Sequence, residues 1–171
     1  MKKQNGFTLI ELMVTLVVAT ILITVAVPGM RGMIESNKVV SAANSISSVM
    51  NLARSEAAKR SVNVTVCASN DSDQPTPGCA GASWQVGWVV WADLDKDGNF
   101  DSPGEVIQVG SALPASTNIT ATVTSIAFDS TGFASGANTW KVCDSGSGNV
   151  GYEVKLLVSG ALSESTQVAC P

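Results

Sequence analysis

Histidine is absent from all 171 residues. The usual base of catalytic triads and acid–base pairs is therefore missing, and with it the commonest metal-ligating ring. The four cysteines contain no Cys-x-x-Cys spacing, which removes the usual zinc and thiol-redox signatures. No glycine-rich phosphate loop occurs either. Charge is scarce at 14% of residues, with ten basic against 14 acidic side chains and a net charge of −4. An acidic chain is repelled by phosphate backbones unless its few cations cluster. These absences argue against an enzyme, against a cofactor and against nucleic-acid binding by the surface as a whole.

The chain does have one long apolar run. Residues 7–27 read FTLIELMVTLVVATILITVAV, with Glu11 as the single charge. A run of about 20 apolar residues is long enough to cross a bilayer as a helix. Lys2 and Lys3 precede it and Arg31 is the next basic residue. That asymmetry places the N-terminus in the cytoplasm and the body outside. A secretory signal would end in a small-residue cleavage site after its core. Here the core is too long and ends in Val27-Pro28-Gly29, while the small residue, Gly6, stands in front. Glu11 needs its own reason. An acid deep in a membrane helix costs on the order of 3 kcal/mol on insertion scales, and such residues are usually paired and functional.

The basic hexapeptide ending in Gly6, followed by Phe7-Thr8-Leu9-Ile10-Glu11-Leu12, resembles a type IV prepilin leader. The resemblance implies cleavage after Gly6 by prepilin peptidase, N-methylation of Phe7 and retention of the apolar helix. It also implies that Glu11 meets the N-terminal amine of a neighbouring subunit during assembly. Residues 1–6 would be the leader, 7–28 the transmembrane and assembly helix, and 29–171 the periplasmic or extracellular domain. Loss of Lys2 and Lys3 leaves eight basic side chains against 14 acidic ones.

Beyond the anchor, Pro28 cannot donate a hydrogen bond to the preceding turn and predicts a kink. The helical pattern then resumes. Val39, Ala43, Ile46, Met50, Ala53 and Ala57 line one face, and Asn37, Lys38, Ser41, Asn44, Ser48, Asn51 and Ser55 the other. The spacing predicts a helix over 7–60, with its second half packed on the domain. Glu56 and Arg60 stand at i, i+4 and can pair. From 61 the period changes to two, and strands are expected at 62–67, 84–91, 105–109, 118–124, 125–129, 139–143, 152–158 and 167–169. The 84–91 and 105–109 strands should form a hairpin. Turns fall at Ser130-Thr131-Gly132, at 145–148 and at Ser159-Gly160.

The stretch Leu52-Ala53-Arg54-Ser55-Glu56-Ala57 with Lys59-Arg60, and the Trp84-Gln85-Val86-Gly87-Trp88 segment leading into an Asp-rich turn, resemble the FimT/FimU/GspH class of minor pilins and pseudopilins. The fold implied is the α+β pilin fold: a long N-terminal helix, transmembrane in its first half, packed on an antiparallel sheet over 61–171. Cys67, Cys79, Cys143 and Cys170 all lie beyond the membrane run. An even count in an oxidising compartment reads as two disulfides. Three pairings are available; the two sequence-local ones, Cys67–Cys79 and Cys143–Cys170, are favoured.

Two stretches test for ligands. Asp93, Asp95, Asp97, Gly98 and Asp101 match positions 1, 3, 5, 6 and 9 of a calcium loop. Position 12 is Gly104, with Glu105 one place late, and strands rather than helices flank the loop. Asp-Gly and Asn are also ordinary turn residues, so a plain acidic turn is the favoured reading over a calcium site. The second is the turn at 159–164, where DNA-capturing members of the resembled class carry Gly-Arg-x-Arg. This chain has Ser159-Gly160-Ala161-Leu162-Ser163-Glu164, so DNA is not expected as a partner. The expected role is a minor pilin that primes or tips a type IV pilus. Its partners would be other minor pilins, the major pilin and prepilin peptidase, and it would wait in the inner membrane before entering the filament. A GspH-like pseudopilin of type II secretion is the alternative, and a DNA-binding transformation pilin a distant second.

Overall fold

The computed structural model describes residues 7–101, 103–144 and 151–170, and in them all side chains but those of 28, 29, 31 and 164–167. Gly6, the Pro28 ring and the turn expected at 145–148 therefore lie outside the described residues. The chain divides into two compact units, one ending at Glu35 and one beginning at Ser36. Helix α1 is assigned over Leu9–Arg60.

In the first unit the helix is apolar around its whole circumference. Phe7, Leu9, Ile10, Leu16, Ile21, Leu22 and Val25 are all exposed, Phe7 by 84%. The most apolar window has a mean hydropathy of 2.5 and buries none of its residues within the chain. Thr15, Thr20 and Thr24 lie within the helical part of the run, and each hydroxyl donates to a carbonyl of the preceding turn: Thr15 to Leu12 at 2.9 Å, Thr20 to Leu16 at 2.5 Å and Thr24 to Ile21 at 2.9 Å. These polar groups are satisfied without water, as a lipid or protein environment requires.

In the second unit the expected helix face is the buried one. Val39, Ala43, Ile46, Met50, Ala53 and Ala57 are buried, and Ala42, Ser47 and Val49 widen the stripe. Asn37, Ser41, Asn44, Ser48, Asn51 and Ser55 face solvent. Alanine fills four of these buried positions, 42, 43, 53 and 57. Glu56 closes the last turns by pairing with Arg60 at 2.6 Å and Lys59 at 3.3 Å.

Among the described residues eight strands follow: β1 Val64–Ala68, β2 Trp88–Ala92, β3 Val106–Gly110, β4 Thr117–Ala121, β5 Ser125–Phe128, β6 Asn138–Asp144, β7 Gly151–Leu156 and β8 Leu162–Val168. They form two four-stranded sheets, ordered β3-β2-β1-β5 and β4-β6-β7-β8. Every pairing is antiparallel. The core joins the helix face to both sheets through Val64, Val66, Val90, Phe128, Trp140, Val142, Val154 and Leu156. Trp84 meets Trp140 edge to face at 5.6 Å, a favoured aromatic geometry, and its ring nitrogen donates to the Val123 carbonyl at 2.8 Å.

β2 is buried along its whole length. Trp88, Val90 and Ala92 face the main core, while Val89 and Trp91 on the other side pack with Cys67, Cys79, Phe100 and Val106. The second cluster exists because Cys67 is bonded to Cys79, which holds the 69–87 loop across the sheet. Cys143 is bonded to Cys170, tying the C-terminal segment to β6.

Two strand expectations need correction. The strand expected over 84–91 begins only at Trp88, because residues 84–86 form a turn. Gly87 sits at φ 149°, the Gly87 carbonyl accepts from Ser69 N and the Gln85 carbonyl from Leu113 N, so this segment bonds to loops and Trp84 turns into the core. The last strand begins at Leu162, not at 167, because the β7–β8 connection closes tightly: Gly160 N bonds to Leu157 O and Leu157 N to Ala161 O. Half of the turn expected at 159–164 is therefore strand.

Candidate functional site

Two places carry polar groups in positions that ordinary folding does not demand. The first is the start of α1. Thr8 is its N-cap: the Thr8 hydroxyl accepts from the Glu11 amide at 3.3 Å, and the Thr8 carbonyl accepts from the Leu12 amide at 3.2 Å. Thr8-x-x-Glu11 has the spacing of a capping box, a local signal that the leader pattern conceals. Glu11 is the acid of the first turn, where the helix dipole favours negative charge. Its side chain is exposed, and among the described residues it has no hydrogen-bond or ion-pair partner. With the threonines satisfied within the helix, Glu11 is the side chain of the apolar run left with a demand for an external partner. Phe7 stands just ahead of the cap and is exposed.

The second place is the β2–β3 connection. β2 delivers Asp93 at its end, with the Asp93 amide bonded to the Asn63 carbonyl at 2.9 Å. Residues 94–99 then bend outward, with Lys96 and Gly98 at positive φ. Carboxylate oxygens of Asp93, Asp95 and Asp97 lie within 4.8 Å of one another. Asp101 is not in that group, though its carboxyl is pushed up from its ordinary value, first by burial and then by the charges of Asp97, Asp95 and Glu105. Asp97 is held down, mainly by the side chain and then the amide of Asn99, which donate at 2.9 and 2.7 Å.

Glu105, one place late for a calcium loop, has a different task. It is only 6% exposed. One of its oxygens accepts from Leu94 N at 2.7 Å and the other from Asp101 N at 3.0 Å. It pins both ends of the loop from inside. Asp93 is as deeply buried, at 5% exposure, but its Oδ1 has no hydrogen-bond partner.

The turn compared with a DNA-capturing loop is held from below. Arg54 of α1 donates through Nη2 to the Ser159 carbonyl at 3.2 Å. Gly160 is at φ 74°, and a Cβ there would run into the Gly132 carbonyl and the Arg54 side chain. The nearest arginine to this turn is thus engaged with its backbone.

Comparison with known proteins fits this anatomy. Residues 42–161 match the family model described as type II transport protein GspH. Residues 1–27 match the prokaryotic N-terminal methylation motif. No curated protein matches the chain. Among solved structures, the type IV minor pilin FimU of Pseudomonas aeruginosa is 18% identical, with a TM-score of 0.60, over 80% of this chain and 98% of that one. The minor pseudopilin EpsH of the Vibrio cholerae type 2 secretion system is 13% identical, with a TM-score of 0.52, over 75% of this chain and 97% of that one. Both likenesses are of fold.

Proposed function

The chain belongs to the GspH family of minor pilins and pseudopilins, and from that premise we propose that it is a minor pilin which primes or tips a type IV pilus. The family is structural, not enzymatic. The observation that carries the proposal is the exposed apolar helix with one acid, Glu11, unpartnered within the described chain. A bilayer satisfies the apolar surface but not the acid. A neighbouring subunit satisfies both.

On this reading prepilin peptidase cuts after Gly6 and Phe7 becomes the methylated N-terminus. The subunit waits in the inner membrane with its body in the periplasm. It then moves into the filament, where Glu11 pairs with the terminal amine of the next subunit. Its partners are other minor pilins and the major pilin. Two disulfides suit a body that ends outside the cell, where no reducing system repairs the fold.

The second reading, a minor pseudopilin of type II secretion, is favoured by the description of the family model that matches 42–161. DNA capture is disfavoured. The β7–β8 turn offers no arginine of its own, and its neighbour Arg54 is tied to Ser159.

Deletion of the gene separates the readings. Loss of surface pili with secretion intact supports the first, and loss of secretion with pili intact supports the second. A strain normal in both would contradict both.

A further inference from the structure

The loop between β2 and β3 contains two buried carboxylates with opposite fates. Glu105 receives a main-chain N–H on each oxygen. Asp93, 5% exposed, has an Oδ1 with no hydrogen-bond partner among the described residues. A buried charge is expensive unless it is paired or coordinates a metal. Among the described residues the ion pairs are Lys59–Glu56, Arg60–Glu56 and Lys155–Glu153, and none of them involves Asp93. Lys96, within the loop, is exposed.

Asp93 also presents a carboxylate oxygen to those of Asp95 and Asp97, all three within 4.8 Å. Like charges so placed repel one another, and the backbone of the loop brings them together regardless. Gly98 at φ 80° allows the sharp bend after Asp97, at the position where calcium loops need glycine. Both ends of the loop are held by Glu105, and within it the Asp97 amide donates to Asp95 Oδ1 at 3.2 Å.

We infer that Asp93, Asp95 and Asp97 form a binding site for a hard divalent cation of the calcium class. An all-oxygen donor set selects calcium, magnesium or manganese over zinc or copper. Calcium is the best fit because it accepts irregular oxygen shells, whereas magnesium demands near-ideal octahedral geometry. The cation supplies the partner that the buried Asp93 lacks and holds the exposed Asp95 and Asp97 to the end of β2. Expected affinity is that of an extracellular module, with Kd on the order of 10⁻⁴–10⁻³ M. The inference is independent of which filament the chain joins.

The test uses the full chain in detergent, stripped with chelator and titrated with calcium chloride by calorimetry, with melting temperature as a second readout. One saturable site and a calcium-dependent rise in melting temperature are expected, with a smaller response to magnesium. Asp95→Asn and Asp97→Asn, at exposed positions, should each weaken binding about tenfold, since affinity follows ligand charge. Asp73→Asn, an exposed acid outside the loop, should change nothing. Asp93→Asn should abolish the calcium response while melting no lower than the wild type without calcium, because it removes an unpaired buried charge. If Asp93→Asn does not fold, the two exposed variants decide. Absence of saturable binding by about 10 mM calcium, or wild-type affinity in both Asp95→Asn and Asp97→Asn, would overturn the site.

Discussion

Glu105 uses both carboxylate oxygens on main-chain amides, Leu94 N and Asp101 N. In Glu105→Gln one acceptor becomes an N–H₂ donor facing another donor. Removing one partner of a buried hydrogen bond costs about 1–3 kcal/mol, so Glu105→Gln should lower stability by that amount in denaturant unfolding. An unchanged midpoint would show that the loop does not depend on Glu105. Surface acids set the pH response. Asp71 is held below its ordinary 3.8, chiefly by the Gly78 amide and then by the Ser69 hydroxyl. Asp129 is held down first by the Thr131 hydroxyl and then by main-chain amides. A depressed carboxyl contributes stability above its unfolded value, and that contribution is lost as pH falls from 3.8 through the lower folded value. Asp101 has the opposite sign: its raised pKa means that its charge opposes folding at neutral pH and that protonation relieves it. The melting temperature should therefore fall on acidification below pH 3.8, and Asp129→Asn should flatten that fall.

At the scale of elements, Arg54 deserves its place on α1 because it reaches two turns. It bonds to Ser159 in the β7–β8 turn and lies against Gly132 in the β5–β6 turn. Gly160→Ala would need positive φ from a residue with a Cβ and would press that Cβ on the Gly132 carbonyl. Such strain costs on the order of 1–3 kcal/mol, readable as a lowered unfolding midpoint, and a wild-type midpoint would contradict the packing described. Replacing Cys67 and Cys79 together by serine should cost about 3 kcal/mol on the chain-entropy account and expose Trp91 and Val89. A change in tryptophan emission would report it.

The helix face at 39–57 was legible in the sequence because a 3.6-residue period survives wherever one side is buried. The Trp84–Trp88 segment was not, since aromatic and β-branched residues read as strand whether they pair in a ladder or turn into a core. The early start of β8 at Leu162 was hidden for a related reason. Ser163, Glu164 and Ser165 are polar, and only their register against β7 identifies the strand. The acidic loop showed its spacing in the sequence, but the burial of Asp93 and the inward turn of Glu105 depend on contacts made by the folded chain. Likewise, Thr8 and Glu11 carried a capping signal that the leader motif overlies.

For the whole molecule, the division of labour is between an anchor with no interior and a domain with no catalytic equipment. The domain buries its own helix face in a core shared with two sheets. The most apolar stretch of the anchor buries none of its described residues within the chain. With eight basic and 14 acidic side chains outside the leader, the body should not retain DNA, since each phosphate contact needs a cation. A gel shift at low salt should show no retarded band at micromolar protein. The decisive requirement lies at the start of α1. Glu11→Ala keeps Gly6 and the apolar run but removes the acid that, in the proposed assembly, pairs with the neighbouring subunit. The measurement is an immunoblot of sheared filaments beside mass spectrometry of the membrane-bound protein. A cleaved, methylated Glu11→Ala subunit should accumulate in the membrane and be missing from the filaments if the proposed pairing holds. Wild-type amounts of that subunit in the filaments would contradict it.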